Sequence, residues 1–370
     1  MQSTTVLFRS AALGDFVMAV PAINIARKVF EHDHIILITI QSANKDQQKM
    51  VEKYSGGKNS VPWVDLIKPS LIDEYFVIQN TNDIKEMFSL RSKLSKYNVA
   101  RSILLLDPCA PWLGRIKKII LMSFLTKFAP VLGWKGEGSL SNSKSDLKRS
   151  GLLKHHVYGP MQFLSEIAST INRDYQIEFQ STPSLNAKNW AESFADGLEK
   201  NKKRILIGIF PGGIFEHKIW PVENYIKLID GIKKIFPDSL YIIFGTGKDR
   251  NICEEIKKKS DAEIIDLVGK ISIEEAAALL SYIRIVISND GGGAHLADAV
   301  GSTVISLIPG IEYDDSIEPY NSRHLAIRAN VDCAPCYSFR SCPTQTYDCM
   351  RKIDVNKVLE IALMEINKLP

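Results

Sequence analysis

The sequence predicts an α/β protein built from two open, parallel-sheet units. Three observations carry this. Short β-branched and aliphatic runs, such as Val6–Arg9, Ile35–Ile40, Ile205–Phe210 and Ile285–Ser288, alternate with longer helical stretches, the pattern of strands joined by crossover helices. The alternation begins twice, near Val6 and again after Arg204. A length of 370 residues is long for one hydrophobic core and suits two domains.

The elements follow in order. Val6–Arg9 is a short apolar strand, Ala11–Asp15 a turn, and Phe16–Phe30 a helix interrupted by Pro21, since proline lacks the amide that a helix interior requires. Ile35–Ile40 is a buried strand, followed by a polar helical region, a strand over Ser102–Leu106 and a strand and turn at Pro130–Gly133. The Gly-, Ser-, Asn- and Lys-rich stretch Lys135–Lys154 reads as a loop. Tyr158–Ile171 reads as a helical segment and Ser181–Asn189 as an interdomain linker. The second unit opens with strand Ile205–Phe210 and a helix within Trp220–Phe236 begun by Pro221. Strand Tyr241–Phe244, helix Lys248–Lys259, a short strand near Ile264 and apolar helix Ile273–Tyr282 come next. Strand Ile285–Ser288 then leads through three glycines to helix Ala294–Val300 and strand Thr303–Ile308. Val355–Leu369 is an amphipathic helix. The expected organisation is a first domain over 1–180, a second over 190–352, and a terminal helix over 353–370.

Bulk composition narrows the class. With 45% hydrophobic and 24% charged residues the chain has an ordinary globular composition. No apolar run reaches the roughly 18 residues of a membrane span. The start, MQSTTVLFRS, lacks the basic and apolar regions of a signal peptide, so a cytoplasmic protein is expected. A net charge of +4 is too weak to imply nucleic acid. The charge is uneven, though: Arg115, Lys117, Lys118, Lys127, Lys135, Lys144, Lys148, Arg149 and Lys154 face only Glu137 and Asp146 in the same stretch. Such a run is either a solvated face or a docking face for an anionic partner.

Five places can carry chemistry. Ligands of open α/β sheets bind beyond the carboxyl ends of the strands, and Asp290-Gly291-Gly292-Gly293 stands at that edge. Glycines without Cβ let amides approach a phosphate at a helix N-terminus. Asp290 would repel a bare phosphate, so its presence suits a ligand that also offers hydroxyls. His295, near the start of that helix, is either a core histidine or a phosphate contact. After the strand ending at Phe210, Pro211-Gly212-Gly213 precedes Lys218-Ile219-Trp220-Pro221. Amides, helix dipole and ammonium together suit a diphosphate, although no Walker A sequence is present. Gly245-Thr246-Gly247-Lys248-Asp249 is a plain turn or a nucleoside contact. Gly14-Asp15 follows the first strand, where Asp15 is either a helix cap or a general base. Finally, Cys333, Cys336, Cys342 and Cys349 fall within 17 positions. Without export signals they are not expected to form structural disulfides, and a structural metal competes with free or redox-sensitive thiols. Cys109 and Cys253 read as ordinary buried thiols.

Taken in order, these motifs resemble the glycosyltransferase family that contains the ADP-heptose:lipopolysaccharide heptosyltransferases. The markers are Arg9-Ser10-x2-Leu13-Gly14-Asp15 with Pro21-Ala22, and Phe210-Pro211-Gly212 with Lys218-x-Trp220-Pro221. Asp266-Leu267-x-Gly269 with Glu274 and Glu275, Asn289-Asp290-x-Gly292 with His295-Leu296-Ala297, and Cys333-x-Pro335-Cys336 to Cys349-Met350 complete the set. The resemblance covers nearly the whole chain. It implies a GT-B fold, two Rossmann-like domains facing a cleft, the first binding the acceptor and the second the nucleotide-sugar. It also implies inverting, metal-independent transfer of heptose from ADP-heptose to a lipopolysaccharide core. Mapped by motif, Asp15 resembles the base and Lys218 the lysine holding the donor phosphates. Asp290, Gly292 and His295 match the donor loop, and Asp249 matches an acidic donor contact loosely. Gly291 replaces the family's usual Ser or Thr, which removes one hydroxyl contact. Relatives that glycosylate autotransporter proteins carry a four-cysteine iron finger, so zinc or iron at the cysteines stays open. The implied acceptor is an anionic glycolipid at the cytoplasmic face of the inner membrane. The alternatives are a protein acceptor, or a nucleotide-sugar epimerase or binder; a nicotinamide-dependent oxidoreductase would need the Gly-x-Gly-x-x-Gly that is missing after the first strand.

Overall fold

The computed structural model describes residues 2–9, 13–40, 64–67, 70–79, 81–106, 112–134, 160–161, 163–167, 182–199, 204–338 and 341–368. The chain separates into two compact units, 1–180 and 181–370.

In the first unit, β1 (Ser3–Arg9), α1 (Leu13–Val29), β2 (His34–Ile40), β3 (Glu74–Ile78), α2 (Ile84–Leu94), β4 (Asn98–Leu104), α3 (Trp112–Leu125) and β5 (Val131–Leu132) follow one another, with α4 (Phe163–Ile167) beyond them. The sheet is parallel in the order β3-β2-β1-β4-β5. Val6, Leu7 and Phe8 of central β1 are all fully buried, as expected of a strand covered on both faces. Val6, Phe8, Ile36, Ile38 and Leu104 pack under Met87, Leu90 and Leu94 of α2 and Met122 and Leu125 of α3. Helix α1 runs through Pro21 without a break. Its buried residues, from Phe16 to Ala26, are fixed by packing, which overrides local propensity.

The second unit contains α5 (Leu185–Glu199), β6 (Leu206–Phe210), α6 (Val222–Ile235), β7 (Leu240–Ile243), α7 (Arg250–Lys259), β8 (Ile264–Asp266) and α8 (Ile273–Leu280). It continues with β9 (Ile285–Asn289), α9 (Gly292–Ala299), β10 (Thr303–Leu307), β11 (Ala326–Ile327), α10 (Asp348–Arg351) and α11 (Val355–Asn367). The sheet order is β11-β10-β9-β6-β7-β8, again parallel. The chain steps outward from β6 to β8, returns to lay β9 on the other side of β6, and steps outward again. The reversal between β6 and β9 is the switch point where such sheets bind ligands.

Three further expectations change. The segment read as a linker becomes helical from Leu185; Ala187, Ala191 and Ala195, four residues apart, form the stripe with which α5 packs on α8. Strand β3 emerges from the region read as polar and helical. The terminal helix belongs to the second unit: Val358, Ala362 and Ile366 join the core around Trp220, Tyr225, Leu228 and Ile232. The loop reading of Lys135–Lys154 and the thiol Cys109 lie outside the described residues. Among the described residues, no helix is long and apolar enough to cross a membrane.

Candidate functional site

The second unit assembles its site at the β6–β9 switch point. Asn289, the last residue of β9, is 2% exposed. Its Nδ2 donates to the carbonyls of Pro211 (2.8 Å) and Gly212 (3.0 Å). Its Oδ1 accepts from the Trp220 amide (3.1 Å) and the Tyr225 hydroxyl (2.9 Å). Every bonding position of the carboxamide is engaged, so one buried side chain joins the β6 turn, the β9 turn and the start of α6. Trp220 is fully buried, edge-on to Tyr225, and its indole donates to the Ile353 carbonyl at 3.2 Å. This fixes the short turn Glu216–Lys218 immediately before it.

From that turn Lys218 reaches Asp290, with Nζ to Oδ2 at 2.7 Å and side-chain exposures of 18% and 7%. An ammonium and a carboxylate therefore stand together beside two glycine turns. Helix α9 begins at Gly292 with Gly291 as its extended cap, and its first amides have no acceptor within the helix. Gly293 is sterically required: a Cβ there would lie 2.4 Å from the Phe210 ring, itself stacked on Phe244 at 5.0 Å. Gly291 has nothing within 4 Å of the corresponding point, so its open face is available to a ligand. His295 is buried one turn into α9.

Asp249 is turned inward. It accepts from the amides of Gly213 (3.3 Å) and Thr246 (2.7 Å) and from the Thr246 hydroxyl (3.0 Å). A Cβ on Gly212 would fall 2.0 Å from its carboxylate. Asp249 thus ties the turn after β6 to the turn after β7.

In the first unit Asp15 lies in the opening turn of α1, after central β1 and next to the β1–β4 reversal. Gly14 precedes it in the same turn. Buried Arg9 donates to the Leu105 carbonyl (2.7 Å) and to the Asp15 carbonyl. Its guanidinium therefore pins the backbone of the turn that carries Asp15 to the ends of β1 and β4.

The four cysteines gather around one small cavity, shared with His217 and Asp348. Burial pushes the Cys349 thiol up, and the neighbouring Cys333, Cys336 and Cys342 add to it. Burial acts the same way on Cys342, but hydrogen bonds from Thr344 and nearby amides outweigh it and hold that thiol below its usual value. Among the described residues, no group of three or more His, Cys, Asp or Glu side chains is arranged to hold a metal ion. As placed, the cluster is a set of thiols and not a coordination shell. Cys253 is buried and pushed up to about 12, first by that burial and then by Asp266.

Sequence reading singled out Lys218, Asp290, Gly212, Gly213, Gly291, Gly292, Gly293 and Asp249, and the structure brings these together within one unit, while Gly14, also expected at the donor, lies in the other beside Asp15. It overlooked Asn289 and Tyr225 as the parts that join them. Asn289 stood in the Asn289-Asp290-x-Gly292 motif, but nothing in the sequence showed which carbonyls, amide and hydroxyl its side chain would join.

Two doubly wound units in one chain are the architecture of the GT-B class. The profile of glycosyltransferase family 9 (heptosyltransferase) matches residues 114–347, and the chain belongs to that family. It is 27% identical over 227 residues to lipooligosaccharide heptosyltransferase 2 of Haemophilus influenzae, covering 58% of this chain and 63% of that protein. The chain thus spans about three-fifths of the length of the curated relatives it matches. Among solved structures, a family 9 glycosyltransferase from Veillonella parvula superposes with a TM-score of 0.71 at 17% identity, over 100% of this chain and 98% of that one. The ADP-heptose lipopolysaccharide heptosyltransferase II of Escherichia coli gives 0.62 at 15%, over 97% and 99%. At these identities the likeness establishes the fold.

Proposed function

We propose that this chain transfers a heptosyl group from ADP-heptose to a lipopolysaccharide core acceptor, lipid A–Kdo or heptose, at the cytoplasmic face of the inner membrane. The observation that carries the reading is the Lys218–Asp290 pair beside the Gly212–Gly213 turn and the start of α9. A cation and free amides suit a diphosphate, and a carboxylate suits sugar hydroxyls. The names of the relatives supply heptose and lipopolysaccharide.

In the proposed reaction Asp15 takes the proton of an acceptor hydroxyl. The hydroxyl oxygen forms a bond to the anomeric carbon from the face opposite the leaving group, inverting it. The bond from that carbon to the diphosphate oxygen breaks, and ADP leaves with the electron pair. Lys218 and the amides around Gly291–Gly293 stabilise the developing charge. Asp290 exchanges Lys218 for donor hydroxyls, His295 supports the donor loop, and Asp249 holds Gly212 and Gly213 in place. No step uses a metal. The cysteine cluster holds either a structural zinc or iron or a set of free, redox-sensitive thiols, and the metal content of protein purified without chelators, with thiol titration alongside, distinguishes the two.

Thermal stabilisation by a panel of nucleotides and nucleotide-sugars tests the donor. ADP and ADP-heptose should stabilise the protein selectively, and Lys218→Ala should weaken them about 10- to 100-fold, the worth of a charge-assisted hydrogen bond. Preference for UDP- or GDP-sugars would overturn the donor assignment. Asp15→Asn should retain donor binding while lowering turnover by at least about 100-fold; a near-wild-type rate removes Asp15 from the base role.

A further inference from the structure

Helix α3 turns an apolar face to solvent. Arg115, Met122 and Leu125 are buried on its inner side. On the other side Leu113, Ile116, Lys117 and Ile120 are exposed, at the spacing i, i+3, i+4, i+7 of one helical stripe. Ile120 is 63% exposed. Phe124 extends the stripe and meets Phe88 of α2 edge-on, with centroids 5.3 Å apart. Phe88 is 58% exposed, and Ile84, one turn earlier, 71%. Arg91, the next turn of α2, lies over the Phe124 ring at 4.5 Å. Two helices therefore share one continuous apolar surface. Just past α3, Lys127 and Phe128 adopt φ of 53° and 66°, a region non-glycine residues rarely enter, and Phe128 is left 78% exposed.

The surrounding charge is one-sided. Helix α3 contains no acidic residue. The two acids at the start of α2 face backbone amides: Asp83 accepts from Lys85 and Glu86, and Glu86 from Gln79. Lys85, Lys117 and Lys127 are exposed. Contiguous exposed apolar side chains mark an interaction site. An apolar stripe edged by lysines is the composition that lies in the interface of an anionic bilayer.

We propose that the α2–α3 face docks this protein on an anionic phospholipid surface, inserting Phe88, Ile116 and Ile120 among the headgroups while Lys85, Lys117 and Lys127 meet lipid phosphates. Its purpose rests on the membrane-anchored acceptor proposed above; its observations do not. A second copy of this chain would bring lysines against lysines across such a face.

The test is sedimentation of the full chain with vesicles of phosphatidylethanolamine and phosphatidylglycerol, and with vesicles of phosphatidylcholine alone. The wild type should bind the anionic vesicles and leave the zwitterionic ones. The double variants Ile116→Glu/Ile120→Glu and Lys117→Glu/Lys127→Glu should each bind at least about tenfold more weakly. Both should keep wild-type melting temperatures and wild-type transfer to a deacylated, water-soluble acceptor. A wild type that stays in solution, equal binding to both vesicle types, or variants that bind as the wild type does would overturn the proposal. So would light scattering that shows a wild-type dimer dispersed by the Ile116→Glu/Ile120→Glu pair. Vesicle binding without any heptosyl transfer would sustain the docking surface and sink only the transfer reading.

Discussion

At the scale of single residues, Lys218 and Asp290 neutralise each other in the free protein. In the proposed reaction a diphosphate that captures Lys218 would release Asp290 into the same small space, so one event would prepare both contacts. That exchange depends on where the two turns stand, and Asn289 decides that. Asn289→Ala removes four hydrogen bonds and leaves buried partners unsatisfied, a loss of about 3 kcal/mol. Denaturant titration should show it, together with weaker ADP binding. The glycines differ among themselves in a way their sequence hides. Gly293→Ala drives a methyl into Phe210, 2.4 Å away, and should cost about 1–3 kcal/mol. Gly291→Ala meets nothing within 4 Å and keeps an extended backbone, so stability should stay within about 0.5 kcal/mol while donor affinity falls. Equal stability losses for the two would contradict this division. Sequence reading grouped the three as one cradle because steric need is set by what packs opposite, here the aromatic ring of Phe210 at the end of β6.

At the scale of elements, ion pairs to buried carboxylates hold the loops at the carboxyl edge of the second sheet. Arg328 donates to Glu318 (2.5 Å) and to the carbonyls of Pro309, Glu312 and Tyr313, which fixes the chain after β10. Arg328→Ala leaves Glu318 buried without its cation and should destabilise by about 3 kcal/mol, visible as an earlier thermal midpoint. Asp266, at the end of β8, receives Arg250 at 2.5 Å and Lys270 at 2.7 Å. Burial alone would raise its pKa, but bonds from Lys270, the Val268 amide, Cys253 and Arg250 prevail and hold it at about 2, against an ordinary 3.8. A depressed folded-state pKa contributes stability that is complete above the unfolded value and is lost as the group protonates. The Asp266 contribution is therefore intact above about pH 4 and disappears towards about pH 2. In Asp266→Asn the fall in stability across that window should be shallower than in wild type; an unchanged acid limb would show that the carboxylate does not contribute. None of these pairs was legible beforehand, because Arg328 and Glu318, or Arg250 and Asp266, become neighbours only once strands and loops are placed. The strands themselves were legible, since hydrophobic runs survive any context. The helix from Leu185 was missed because its stripe is alanine, too small to stand out among polar neighbours.

At the scale of the whole molecule, the proposed donor site and the proposed base belong to separately closed cores. Lys218, Asp290, Asn289, Asp249 and the glycine turns all belong to unit 181–370, whose core runs from Ile207 to Ile366 and includes the terminal helix. Asp15 belongs to unit 1–180, whose core is drawn from its own strands and from α2 and α3. That doubling is what the sequence announced most clearly, through a strand pattern that starts twice. The described residues of the candidate donor site all come from the second unit, and that unit is expected to build the site alone. Residues 181–370 expressed alone should fold cooperatively and bind ADP within about threefold of the full chain, a difference under about 1 kcal/mol. Lys218→Ala should weaken that binding about 10- to 100-fold in the fragment as in the whole. The fragment should transfer no heptose, because the proposed base is absent, and mixing in residues 1–180 tests whether the two halves work only in one chain. A fragment that is unfolded, or folded but more than about tenfold weaker for ADP, would show that the first unit completes the donor site and would move the search for nucleotide contacts to the residues after β1 and β4.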